Sequence, residues 1–212
     1  MRELHGFRVS SWDTPLRVNP NRQAGRWNQP DSAPTQYIAL HPLGTWAEYL
    51  RWHELREPAQ LTEIRLGVWA IKAQVEDALT VGFENAAVLD LDPAALVSDD
   101  WGPCQAAAER LRRDRTGPKA LIVPSAALPG ARNLVILEAR VAVPYNLSPV
   151  DVVDTPVTLA AAGARPPLSL LDRVRFRGEA HAEFEAWRAG ETYTLVEPTD
   201  ALLAEESGGT AA

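Results

Sequence analysis

Ile71, Ala73 and Val75 alternate with Lys72, Gln74 and Glu76, the period-two pattern of a strand with one buried face. A helical period replaces it at Leu43, Trp46, Ala47 and Leu50, which predicts an apolar helix face with Glu48 at its margin. Cys104, Ala107, Ala108 and Leu111 share a second such face; Asp99 and Asp100 precede it as candidate caps, and Pro103 suits its first turn. Short apolar runs predict strands at "FRV" (7–9), "TQYIALH" (35–41), "AAVLDL" (86–91), "KALIVPS" (119–125) and "NLVILEARV" (133–141), the last two joined by the Pro-Gly turn of "AALPGAR". Past Tyr145 the pattern weakens into "VDVVD", "LLDRVRF", a helix near "AHAEFEAW" and a strand at "TYTLV". The fold class is α+β, a single domain over 1–200 with mixed β-sheets and flanking helices, and 201–212 is expected to be a disordered tail.

Composition narrows the function classes. The 212 residues are 46% apolar and 23% charged, an ordinary globular balance, long enough for a core without metals or disulfides. The net charge is -7 and the 21 Lys and Arg are scattered, so direct nucleic-acid binding is not expected. One cysteine, Cys104, fits a reducing compartment. No run approaches about 18 continuous apolar residues and none resembles a signal peptide, so neither membrane spanning nor export is expected, and the chain is read as cytoplasmic. His5, His41, His53 and His181 lack metal-ligand spacing and are read as surface or cap residues; no metal is expected. Glycine signatures of nucleotide triphosphatases and dehydrogenases, and the nucleophile elbow of hydrolases, are missing. The run Arg110, Arg112, Arg113 and Arg115 reads as a solvated helix end.

The candidate chemistry lies in "QAGRWNQPDSAPTQYIALHPLGTWAEYL" (23–50), where Arg26, Tyr37 and Glu48 are evenly spaced over a loop, a strand and a helix. An Arg in a Gly-containing loop can hold a pyrophosphate with its fork of donors. A strand Tyr can supply a flat wall for a heteroaromatic ring. A Glu at a helix margin can bond a ribose hydroxyl and stabilise the positive charge of a breaking glycosidic bond. On the residues alone packing remains the alternative, with Arg26 in a loop ion pair, Tyr37 in the core and Glu48 on a solvated face.

"AGRWN", "QYIAL" and "TWAEYL", followed in order by "VGFENAAVLDL", "DDWGPCQ" and "LIVPSAALPGARNLVI", resemble the RES domain family over roughly 7–143. Ala24 departs from the Gly-Gly-Arg-Trp-Asn motif and leaves Gly25 to provide the tight backbone. The resemblance implies an ADP-ribosyltransferase-like fold and a toxin of a bacterial toxin–antitoxin pair, an NAD phosphorylase or glycohydrolase that cleaves the nicotinamide–ribose bond with phosphate or water as acceptor. NAD would be a substrate and no cofactor is implied. By position, the resemblance makes Arg26, Tyr37 and Glu48 the catalytic residues. It places Arg8, Arg26, Trp27, Asn28, Tyr37, Ser125 and Asn133 around the dinucleotide. It further implies a helix-turn-helix antitoxin that blocks the cleft. An ADP-ribosyltransferase acting on a protein, and an inactive module binding NAD or ADP-ribose, are the alternatives.

Overall fold

The computed structural model describes residues 2–10, 23–30, 32–33, 35–75, 78–137, 146–149 and 163–196. Seven strands make one mixed sheet: β1 (Arg2–Ser10), β2 (Gln36–Ala39), β3 (Gly67–Val75), β4 (Ala78–Thr80), β5 (Ala120–Pro124), β6 (Arg132–Ile136) and β7 (Asn146–Pro149). Their order is β4-β5-β6-β2-β1-β3-β7; β4 and β5 run parallel and every other pairing is antiparallel. Four helices flank it, α1 (Pro42–His53), α2 (Pro58–Glu63), α3 (Gly102–Arg113) and α4 (Ala182–Arg188). This is the α+β architecture that the alternating elements predict.

β5 is buried along its whole length, so its sequence is a continuous apolar run. Leu121 and Val123 enter one core cluster while Ala120 and Ile122 enter another, as the pleat requires. The first cluster joins β5 and β6 to Trp27, α3 and the two 3-10 helices Phe83–Leu89 and Pro93–Leu96. A third cluster gathers Trp46, Ala47 and Leu50 of α1 with Leu61, Leu128, Leu170 and Phe176. Gly6 lets β1 approach β2 closely: a Cβ there would fall 2.3 Å from Ile38 Cγ2.

α1 starts where His41 Nδ1 accepts the Leu43 N–H (3.1 Å) with Pro42 in its first turn, and it ends at Glu54, which takes left-handed φ of 52°. The buried residues Ile71, Ala73 and Val75 alternate along β3 as the sequence predicts. Several expectations are corrected. "AAVLDL" is not a strand but the end of the Phe83–Leu89 3-10 helix and its cap. Ala86 and Leu89 are buried while Val88 is 58% exposed, a period of three, and Asp90 at φ 55° terminates the turn. "TYTLV" forms no strand, and β4 is absent from the predicted elements. Asp99 caps nothing because two guanidiniums claim it; Asp100 does serve α3, accepting the Gly102 N–H at 2.9 Å. "VDVVD" and the tail at 201–212 lie outside the described residues.

The arginine run is a solvated helix end at Arg113 and Arg115, which are exposed, but not at Arg112. Arg112, two helical turns after Gln105, turns inward and donates to Trp27 O (3.0 Å), Thr35 Oγ1 (2.7 Å) and Leu137 O (3.2 Å) while pairing with Glu109 Oε1 (2.7 Å). One guanidinium thereby ties the helix to the Arg26 loop and to the end of β6. Arg112→Ala is expected to lower stability by about 2 kcal/mol, because it strands three acceptors that water reaches only in part. Arg112→Lys should recover little, since an ammonium cannot fork. The urea midpoints of the three proteins check this.

Candidate functional site

The Arg26 loop is a tight turn closed on itself: Gly25 and Asn28 exchange backbone hydrogen bonds of 3.0 and 3.3 Å. Gln105 of α3 donates its amide to Gly25 O (2.9 Å) and Asn28 O (3.1 Å). Tyr37 closes the loop from β2. Its hydroxyl donates to Asn28 Oδ1 (2.7 Å) and accepts the Trp27 N–H (2.9 Å). A Cβ at position 25 would lie 2.6 Å from Asn28 Oδ1 and 2.7 Å from the Tyr37 oxygen, so the one motif glycine kept here is the one the clasp requires. The Trp27 indole packs into the core with α3, and this residue holds the loop through its backbone.

A cleft of about 480 Å³ opens beside this loop, and its lining includes Arg8, Arg26, Trp27, Asn28, Tyr37, Glu48 and Asn133. Ser125 lies beneath, fully buried. Glu48 reaches over from α1 and its Oε1 accepts from both the Ser125 hydroxyl (2.8 Å) and the Asn133 amide (2.7 Å). Its Oε2 has no hydrogen-bond partner among the described residues. Ser125 is itself fixed, since its oxygen accepts the Leu128 N–H (3.1 Å) and its carbonyl bonds the His181 ring (2.9 Å). Asn133 Oδ1 is buried without a partner among the described residues.

Two cations in the cleft lack a carboxylate partner among the described residues. Arg26 donates to Ser98 O (2.6 Å) and Ala95 O (3.3 Å), and Arg8 donates to the Gln36 side-chain oxygen. Burial pushes both guanidiniums below their ordinary pKa. Desolvated, unpaired positive charge beside a cleft is a site for an anion. Burial raises the Tyr37 phenol well above its ordinary value, so the group stays protonated and, with both hydroxyl valences used, offers a ligand its ring. Burial pushes the Cys104 thiol up to about 11, and as a protonated thiol it is no nucleophile at neutral pH.

The structure therefore brings together residues of five segments that the sequence offered separately. It also adds groups that had no signal. Arg51 of α1 donates to Arg175 O (2.8 Å) and Asp99 Oδ1 (2.5 Å), and Arg175 meets the same carboxylate at 2.8 Å. Burial alone would raise the Asp99 carboxyl; the Gly178 N–H and the two guanidiniums reverse this and hold it at about 2. Tyr49, Trp52, His53, Trp101 and Arg177 line the mouth of the cleft. The only hint of them in the sequence is the aromatic run after Glu48 in "AEYLRWH".

Among known proteins, a chain in the crystal structure of the M. tuberculosis MbcT-MbcA toxin-antitoxin complex superposes with a TM-score of 0.56 at 20% sequence identity, covering 81% of this chain and 88% of that one. At that identity the likeness is one of fold. No curated protein sequence matches. The family model of the RES domain matches residues 4–160, well over half of the sequence and the stretch that builds the Arg26 loop, the Glu48 helix and the Ser125 turn. On that match the chain belongs to the RES domain family.

Proposed function

We propose that this protein is the toxin of a toxin–antitoxin pair and that it degrades NAD by cleaving the nicotinamide–ribose bond, with phosphate or water as acceptor. The observation that carries the reading is the pairing of one anchored carboxylate, Glu48, with two desolvated cations, Arg8 and Arg26, that have no carboxylate partner among the described residues, in one cleft. A dinucleotide with a cationic ring at one end and a pyrophosphate in its middle complements that distribution. Membership of the RES family and the likeness in fold to a chain of the MbcT-MbcA toxin-antitoxin complex support the toxin and partner parts. The partner is taken to be a helix-turn-helix antitoxin that covers the cleft.

In this reading Arg8 and Arg26 hold the pyrophosphate and Tyr37 walls the nicotinamide ring, while Trp27 and Asn28 keep the loop in shape. The C1–N bond breaks heterolytically, and its electron pair leaves with the pyridinium nitrogen, so nicotinamide departs neutral. Positive charge then spreads over C1 and the ring oxygen of the ribose. Glu48, held by Ser125 and Asn133, stabilises that charge without reorganising, because its donors are already in place. Attack by water, with loss of a proton, gives ADP-ribose; attack by phosphate gives ADP-ribose 1-phosphate.

The test is nicotinamide release from NAD by the purified protein in phosphate-free buffer and with phosphate added. Release that rises in proportion to phosphate identifies a phosphorylase, and release indifferent to it a hydrolase. No release in either buffer by folded protein free of any partner overturns the enzyme reading.

A further inference from the structure

The mouth of the cleft carries aromatic surface that the chemistry at Glu48 does not use. Trp52 follows Glu48 by one turn of α1, about 6 Å further along the helix axis. It is 44% exposed. Trp101, the residue preceding α3, lies parallel to it, with ring centroids 6.1 Å apart and an interplanar angle of 10°. The Arg177 guanidinium stands 5.5 Å from the Trp101 centroid and 6.0 Å from that of Trp52. All three line the same cleft as Arg8, Arg26 and Glu48.

Neither indole belongs to any of the three core clusters, so packing of the fold does not account for them. Among the described residues Arg177 has only a loose ionic neighbour, Glu54 at 3.9 Å, which leaves its donors available to a ligand. Flat indole faces in water beside a guanidinium are suited to stacking a heteroaromatic base that carries phosphate. The two bases of NAD differ in charge. The nicotinamide ring is cationic before cleavage and would be repelled at Arg177, whereas Glu48 attracts it. Adenine is neutral and meets no such penalty.

We propose that Trp52, Trp101 and Arg177 form a second base subsite that holds the adenine end of the dinucleotide and makes the enzyme select dinucleotide over mononucleotide. The inference rests on the NAD reading of the cleft. In the bound state adenine lies against the exposed indole faces and Arg177 turns from the rings toward the adjoining phosphate. Specificity for the whole dinucleotide thus resides at the end of α1 away from the Ser125 and Asn133 anchors.

Two measurements on the full chain test it. ADP, which has the base and pyrophosphate but no scissile bond, is titrated calorimetrically into wild type, Trp52→Ala, Trp52→Phe and Arg177→Ala. The ratio of kcat/KM for NAD to that for nicotinamide mononucleotide is measured on the same proteins. Loss of one base stack is expected to weaken ADP about tenfold in Trp52→Ala and to lower the NAD to mononucleotide ratio by a like factor, with Trp52→Phe between the two. Arg177→Ala should weaken ADP as well. ADP affinity and substrate ratio both equal to wild type in Trp52→Ala, or an equal loss on the two substrates, overturns the subsite. If wild type turns over neither substrate, the cleavage reading fails, and the ADP arm alone decides the subsite: the tenfold loss supports it, and no ADP binding by wild type overturns it.

Discussion

Glu48→Ala is expected to reduce nicotinamide release by about 100- to 1000-fold, the order found when a preorganised group facing transition-state charge is removed. Glu48→Gln should fall nearly as far. The glutamine oxygen can still accept from Ser125 and Asn133, as Glu48 Oε1 does at 2.8 and 2.7 Å, so the shape of the cleft survives while the negative charge does not. Glu48→Asp tests position instead: one methylene shorter, it keeps the charge and loses the reach to both donors. ADP affinity should not weaken in Glu48→Ala or Glu48→Gln, because deleting an anion does not harm the binding of another. The loss would then lie in kcat with the fold intact, to be checked by thermal melting. Activity of Glu48→Gln within a few-fold of wild type would sink the electrostatic role and move the search for the stabilising group elsewhere in the cleft.

The residues that the structure gathers around Glu48 differ in how legible they were. Arg26, Tyr37 and Glu48 each sit at a junction where loop, strand and helix patterns change, and those changes are local and readable. The same holds for the alternation along β3 and the apolar stripe of α1. What decides the site, however, is pairing over long distances in the chain. Nothing near Arg112 predicts that it turns inward to Trp27 and Thr35, since a cluster of arginines at a helix end is as well served by water. Asp99 looks like a cap in sequence because carboxylates before helices usually are. Two arginines from distant segments outbid the α3 amides for it. The error at "AAVLDL" has a different source: a short apolar run carries too few periods to separate a strand from a 3-10 turn, and the exposure of Val88 is what distinguishes them. The strand order, with β6 between β5 and β2, likewise follows from tertiary pairing alone.

The second large effect is on stability rather than rate, and it comes from a histidine that the sequence reads as a surface or cap residue. His181 does cap α4: its Nδ1 accepts the Phe184 N–H at 3.2 Å. It is also buried, and its Nε2 lies 2.9 Å from Ser125 O. A carbonyl only accepts and an amide only donates, so the ring is neutral with its proton on Nε2. A second proton would have to go on Nδ1, where the helix amide already points. Burial pushes the ring down to about 4 from an ordinary value of 6.5, against the pull of the Ser125 carbonyl and Glu183, with Arg175 and Arg26 adding to the depression. Above pH 6.5 the folded and unfolded chains are both neutral here and no stability is lost. As pH falls from 6.5 to 4 the unfolded chain takes up the proton first, and each unit costs about 1.4 kcal/mol, or about 3 kcal/mol in all. Asp99, held at about 2 against an ordinary 3.8, adds a loss of the same sign at lower pH. Urea unfolding of wild type between pH 7 and 4 should therefore show a steep fall in stability. His181→Asn, which keeps a capping oxygen and cannot titrate, should be less stable at pH 7 and lose much less on acidification. Parallel pH profiles for the two proteins would assign the acid sensitivity to other groups. The same ring links stability to the site, because the carbonyl it holds belongs to Ser125, whose hydroxyl holds Glu48. Protonation of the folded ring falls on Nδ1, where it costs the α4 cap and leaves the Nε2–H bond to Ser125 O in place, and it begins only near pH 4, so nicotinamide release should hold while stability falls from pH 6.5 and drop only as the folded ring titrates.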